Sequence, residues 1–125
     1  MGNLQESTLR VLVVDDDETI RMLLSRFFEM QGYVADTAAD GEAALQLVRS
    51  QVFDVIFVDF QMPGITGLEF ATEVRQQYPN LPIGLITGVA HRLTDADLEQ
   101  AGITKLFTKP FDLDDLAEWL ESLSK

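Results

Sequence analysis

The sequence predicts a three-layer α/β/α, doubly wound fold in which five parallel strands alternate with five helices. Five short runs rich in β-branched and aliphatic residues recur along the chain, and a segment with helical apolar spacing follows each of the runs. The runs VLVV and VIFV are apolar without alternation, as strands covered on both faces require. Strands that alternate with helices form a parallel sheet, because each crossover lays its helix on the sheet.

The first strand is expected over Arg10–Val14, and its helix carries Ile20, Leu23, Leu24, Phe27 and Phe28 on one face. Gly32 follows the end of that helix. The second strand is expected over Tyr33–Thr37, with Asp40 capping a helix that presents Ala43, Ala44, Leu47 and Val48. Val55–Val58 forms the third strand, followed by a helix marked by Leu68, Ala71 and Val74. Ile83–Ile86 forms the fourth, and a shorter helix over Asp95–Ala101 starts at Thr94 and stops at Gly102. Lys105–Phe107 is the fifth strand, and Asp112 caps a last helix with Leu113, Leu116, Leu120 and Leu123 on its apolar face.

Composition narrows the function. At 125 residues the chain holds one hydrophobic core, read as a flexible N-terminal segment over residues 1–8 and a single domain over 9–125. With no cysteine, disulfides, thiolate catalysis and thiolate zinc sites are excluded. The opening MGNLQESTLR lacks the apolar stretch of a signal peptide, no run approaches the length of a membrane span, and a cytoplasmic location is expected. A formal charge of −12 is the wrong sign for neutralising nucleic-acid phosphates, so no direct nucleic-acid contact is expected.

Ligands of open α/β sheets bind outside the carboxyl ends of the strands, near the reversal of strand order. Asp15, Asp16 and Asp17 end the first strand and Asp59 ends the third. If those strands are neighbours, three carboxylates converge, and two unit charges ~5 Å apart at an effective dielectric of ~20 repel by roughly 3 kcal/mol. A proton or a hard cation relieves such a cluster, and all-oxygen ligation with room for water suits Mg2+ better than calcium. The plainer reading, that these residues cap the first helix, suits Asp17 better than Asp15 or Asp16. Thr87 and Thr108-Lys109-Pro110 bring a hydroxyl and an ammonium to the same edge of the sheet. Those are the parts needed to receive a phosphoryl group, whose transfer depends on positioning and charge neutralisation.

The pieces VLVVDDDETI, VIFVDFQMPGITGLEF, GLITG and GITKLFTKPF, in this order, resemble the receiver domains of two-component response regulators, over about Arg10 to Leu123. The resemblance implies a flavodoxin-like sheet of order 2-1-3-4-5 and Asp59 as the phosphoacceptor. It implies Mg2+ held by Asp16 directly, Asp15 through water, Asp59 and the backbone carbonyl of Gln61. Lys109 is implied to pair with Asp59 or its phosphoryl group, the Lys109–Pro110 bond to be cis, Thr87 to move toward the phosphoryl oxygen, and Gly88 to leave the acceptor open. The implied phosphodonor is a sensor histidine kinase or a phosphotransfer protein. The output surface is implied to comprise the fourth helix, fifth strand and fifth helix, facing an unidentified downstream target and open to phosphorylation-dependent dimerisation. Nothing in the resemblance implies an enzyme beyond self-catalysed transfer and autodephosphorylation.

The sequence departs from the family at Leu106, where members usually carry Tyr or Phe three residues before the lysine. Leucine lacks the ring that swings inward as the threonine moves, and strand alternation points neighbouring Phe107 to the other face. Gln61 and Val89 flank the acceptor and bear on phosphoryl lifetime. His91 stands in a polar loop with no carboxylate pattern around it, Trp119 reads as packing or partner surface, and Met62 and Pro63 as shaping the loop after Asp59. One rival is enzymatic: Asp15-Asp16-Asp17-Glu18-Thr19 also fits the DxDxT motif of haloacid-dehalogenase-like phosphatases, but that reading leaves Asp59 without a role. The other rival is a degenerate receiver, acting as a constitutive interaction module.

Overall fold

The computed structural model describes residues 8–124, so most of the expected N-terminal segment, residues 1–7, lies outside the described residues. Five strands, β1 (Arg10–Val14), β2 (Val34–Ala38), β3 (Val55–Asp59), β4 (Ile83–Thr87) and β5 (Lys105–Thr108), alternate with five helices. These are α1 (Glu18–Met30), α2 (Gly41–Ser50), α3 (Gly67–Gln77), α4 (Asp95–Ala101) and α5 (Leu113–Leu123). A 3-10 turn at Ala90–Arg92, absent from the sequence expectation, precedes α4.

The sheet is parallel throughout, in the order β2-β1-β3-β4-β5. Parallel crossovers are right-handed, so the one that steps from β1 to β2 and those that step the other way place their helices on opposite faces. The period of two along each strand separates the two cores accordingly. Leu12, Val14, Ile56, Val58, Ile83 and Leu85 pack under α2, α3 and α4. Val11, Val13, Val55, Phe57, Ile86 and Phe107 pack under α1 and α5. Burying each large apolar side chain contributes roughly 1.5–3 kcal/mol, and here both faces of the central strands are covered.

One aromatic cluster anchors the second face. Phe57 stacks on Phe28 at 5.1 Å between ring centroids and meets the edge of Trp119 at 5.5 Å. Gly84 makes this possible, because a Cβ there would lie 3.0 Å from the Trp119 ring and 3.2 Å from Phe107.

The helix ends follow local chemistry. Asp17, Asp40, Thr94 and Asp112 all cap through side-chain oxygens that accept backbone N–H groups, and Gly32 and Gly102 take positive φ of 97° and 76° after α1 and α4. Strand β2 starts at Val34 and not at the expected Tyr33, because the Tyr33 N–H donates to the Phe28 carbonyl at the end of α1. Among the described residues no helix is long and apolar enough to cross a membrane.

Candidate functional site

The order of strands reverses between β1 and β3, and their carboxyl ends hold the acidic residues. Four paired registers, ending at Val14↔Val58, set the two strand ends side by side. One carboxylate oxygen from each of Asp15, Asp16 and Asp59 lies within 4.8 Å of the others. Asp15 and Asp59 are buried, at 3% and 7% exposure, while Asp16 is exposed.

Hydrogen bonds hold Asp15 in place. The Asp15 N–H donates to the Ala38 carbonyl at 3.1 Å, and the Arg21 guanidinium donates to the Asp15 carbonyl at 2.8 Å. The Asp15 carboxylate accepts the Asp17 N–H at 2.8 Å. Asp17 itself turns away from the cluster, and its side chain accepts the N–H groups of Thr19 and Ile20 as the cap of α1. Asp17 is thus the N-cap of α1 and lies outside the group formed by Asp15, Asp16 and Asp59.

On the other side of Asp59 stands Lys109, whose Nζ is 3.4 Å from Oδ1. Its backbone N–H donates to the Thr87 carbonyl at 2.8 Å, which ties the loop after β5 to the end of β4. The Lys109–Pro110 peptide bond is cis. Thr87 is 1% exposed, and its hydroxyl oxygen accepts the Val89 N–H at 3.0 Å. Gly88 is exposed beside it, and a Cβ there would meet only the Lys109 side chain, at 3.8 Å.

Burial raises the Asp59 carboxyl above its ordinary value; Lys109 opposes that by charge and hydrogen bond, and Asp16 adds to it. Burial also raises Asp15, with the Asp17 N–H and Lys109 opposing and the charges of Asp59 and Asp16 reinforcing. Two buried carboxyls are thus held at higher proton affinity than free aspartate. An all-oxygen donor set with this strain fits a hard divalent cation such as Mg2+, whose charge replaces the proton.

The remaining expected residues are distributed as follows. Gln61 is exposed in the loop two residues past Asp59, and Val89 is half-buried after Gly88. Leu106 packs with the α2–α3–α4 core, whereas Phe107 lies on the α1–α5 side. His91 is exposed in the 3-10 turn, outside the acidic cluster.

Two features of the site's surroundings lie outside the sequence expectation, the close approach of Gly67 and a capping box of Thr66 with Glu69. Gly67 opens α3 directly beside β3: its N–H donates to the Phe60 carbonyl at 2.9 Å, and a Cβ would collide with the Asp59 carbonyl oxygen. Thr66 and Glu69 form a reciprocal capping box at the start of that helix. The spacing Thr-x-x-Glu in TGLE is a visible signal for the second, but nothing local announces the first.

Comparison with known proteins agrees with this geometry. The profile of the family described as response regulator receiver domain matches residues 11–121. The transcriptional regulatory protein TcrA of Mycobacterium tuberculosis is 34% identical over 122 residues, covering 95% of this chain and 47% of TcrA. The chain therefore spans about half the length of that curated relative, and 23% of the regulatory protein AtoC of Escherichia coli, to which it is 35% identical over 86% of its own length. Among solved structures, chemotaxis protein CheY4 of Vibrio cholerae superposes with a TM-score of 0.85 at 35% identity, over 93% of this chain and 98% of that one. TrrA of Thermotoga maritima, solved in complex with Mg2+ and BeF, gives a TM-score of 0.85 at 37% identity, over 93% and 99% of the two chains. TrrA has also been solved in complex with the histidine kinase ThkA. With this fold, the acidic edge and a family match over nearly its whole length, the chain belongs to the response regulator receiver domains of two-component systems.

Proposed function

We propose that Asp59 accepts a phosphoryl group from the phosphohistidine of a sensor histidine kinase or phosphotransfer protein, and that the modified Asp59 switches the face formed by α4, β5 and α5. The observation that carries this reading is the pairing of Lys109 with the one buried carboxylate that also shares an edge with Asp15 and Asp16.

In the transfer, an Asp59 carboxylate oxygen attacks phosphorus and the P–N bond to the donor imidazole breaks, leaving an aspartyl phosphate and a histidine that takes up a proton. Asp16, Asp59 and the Gln61 carbonyl would hold Mg2+ directly and Asp15 through water, and when bound the ion would neutralise charge on the phosphoryl oxygens. Lys109 neutralises the same charge from the opposite side. The aspartyl phosphate adds about −1.5 to −2 units of charge and new acceptor oxygens. Thr87 answers that change: its hydroxyl, held by Val89 in this state, turns toward a phosphoryl oxygen and draws the loop before α4 inward. Leu106, packed against the α4 side of the core, moves into the space vacated in place of the usual ring. Gln61 and Val89 set the lifetime, Gln61 by orienting water and Val89 by shielding. The cycle needs no catalysis of other substrates, only transfer and autodephosphorylation. The reading places the chain in the cytoplasm, where a histidine kinase draws its phosphoryl group from ATP.

Beryllofluoride with Mg2+, a mimic of the aspartyl phosphate, tests the switch by amide chemical shifts. Changes at Thr87, Gly88 and along β5 support it. Changes confined to Asp15, Asp16 and Asp59 would instead support a constitutive interaction module that retains a metal site.

A further inference from the structure

The loop that joins β3 to α3 runs from Phe60 to Thr66 and carries Gln61. Backbone bonds close its base: the Phe60 N–H donates to the Ile86 carbonyl at 3.1 Å, and the Gly67 N–H donates to the Phe60 carbonyl at 2.9 Å. From Gln61 to Ile65 no hydrogen bond to another residue is formed among the described residues. The position of that stretch therefore depends on packing, and Met62 and Ile65 are its two side chains that pack against the α2–α3–α4 core.

Ile65 has a shaped seat. Its Cγ1 and Cδ1 occupy the place that a Cβ on Gly41 would take, and Phe70 Cβ lies 3.7 Å from that place. Gly41 is buried and is the first residue of α2, directly after the Asp40 cap. Among the described glycines only Gly32, Gly64 and Gly102 have positive φ, so the backbone at Gly41 does not call for glycine. A helix favours alanine over glycine. What requires glycine there is the side chain of Ile65. Isoleucine is branched at Cβ and stiff at χ1, so it cannot swing clear of an added methyl group unless the loop moves. Gly64, with φ of 82°, supplies the turn immediately before it.

We propose that Ile65, seated in the notch that Gly41 leaves at the start of α2, is the positioning residue that holds the Gln61 carbonyl in place for Mg2+. This rests on the metal-dependent function proposed above and adds α2, which contributes no ligand, to the elements that shape the site. Gln61 lies between the fixed base at Phe60 and the seat of Ile65, so a shift at the seat is passed to its carbonyl. Mg2+ demands near-ideal octahedral geometry, which makes its affinity sensitive to such a shift.

The test is a set of Mg2+ titrations of the full chain, read from the amide shifts of Asp16 and Gln61, on Gly41→Ala, Ile65→Ala and the two combined. Each single change is expected to raise the Mg2+ Kd by about tenfold, the lower end for disturbing a group that orients a metal ligand. In the double variant the added methyl group enters the space that Ile65 vacates, so Kd should stay within about twofold of Ile65→Ala alone and not show two summed losses. Leu120→Val, in the core beneath α1 and α5 on the other face, should lower Tm and leave the Mg2+ Kd unchanged. In metal-free protein, Gly41→Ala should shift the amides of Gln61, Met62 and Gly64, and the same substitution should shift them no further once Ile65 is alanine. Ile65 is half-buried, so Ile65→Ala against Leu120→Val carries the comparison even where Gly41→Ala does not fold. Affinity losses that follow Tm through all four variants, full additivity in the double variant, or an unchanged Kd in Gly41→Ala or Ile65→Ala would each overturn the proposal. Equal Mg2+ Kd in every variant, with Asp59 still phosphorylated, defeats this proposal alone. No Mg2+ binding by the unaltered protein, with the metal-free shifts as expected, defeats the phosphoacceptor reading and leaves the seat of Ile65 standing.

Discussion

Lys109 Nζ stands 3.4 Å from Asp59 Oδ1, with the lysine one-third exposed and the aspartate nearly sealed. The pair is therefore asymmetric. Lys109 can move with water as its alternative partner, but Asp59 has no comparable outlet, and burial holds its proton affinity high despite the lysine.

Removing the cation should expose that asymmetry. In Lys109→Ala the largest influence lowering the Asp59 pKa is lost, so the carboxyl must titrate at higher pH than in the unaltered protein, as carbon-detected NMR of Asp59 will show. Phosphorylation by acetyl phosphate should slow by roughly a hundredfold, the scale for removing one charge-stabilising group from a transition state. An unchanged Asp59 titration would contradict the assigned pairing.

Stability should depend on pH through Asp15. Asp15 has a folded-state pKa above the ordinary 3.8, so the folded protein binds more protons than the unfolded chain in the window between the two values. Its contribution is therefore favourable below 3.8 and is lost as pH rises through the folded-state value. Without Mg2+, Asp15→Asn should raise Tm by a few degrees at pH 7, and by less as pH falls toward 3.8. The amide oxygen can still accept the Asp17 N–H. With millimolar Mg2+ the order should invert, since ligand binding to the folded state stabilises only the protein that retains the site. Calorimetry at both pH values, with and without Mg2+, checks all four cases.

Gly67 provides a test of geometry independent of charge. A methyl group there meets the Asp59 carbonyl, and one end of the clash is backbone, so Gly67→Ala should destabilise by about 1–3 kcal/mol, the range for overpacking a close contact. Displacement of Asp59 should also weaken Mg2+ binding, measured by titration. Full stability with unchanged Mg2+ affinity would show that α3 does not approach β3 as closely as described.

Much of this was legible in the chain because the central strands are buried on both faces. Uninterrupted runs such as VLVV and VIFV left little choice of element type, and the polar residues that follow them necessarily fall at one edge. The strand ends were underestimated by one residue at Asp59, Thr87 and Thr108, because these polar residues still pair, as Asp59↔Ile86 and Thr87↔Thr108. At β2, an edge strand with mixed burial, the pattern was weaker and its start was displaced by the bond from Tyr33 to Phe28. Gly67 and Gly84 were not legible, since each is required by a neighbour distant in sequence, and no local spacing reports such an approach. Asp17 could be read either as a cap or as a site residue, and only the direction of its side chain decides for the cap.

The most direct test of the account is to treat the protein with acetyl phosphate and Mg2+, trap the acyl phosphate with borohydride and locate the modified residue by mass spectrometry. A single modification at Asp59, absent from Asp59→Asn and absent without Mg2+, is the predicted result. Modification at Asp15, Asp17 or His91, with Asp59 untouched, would contradict it.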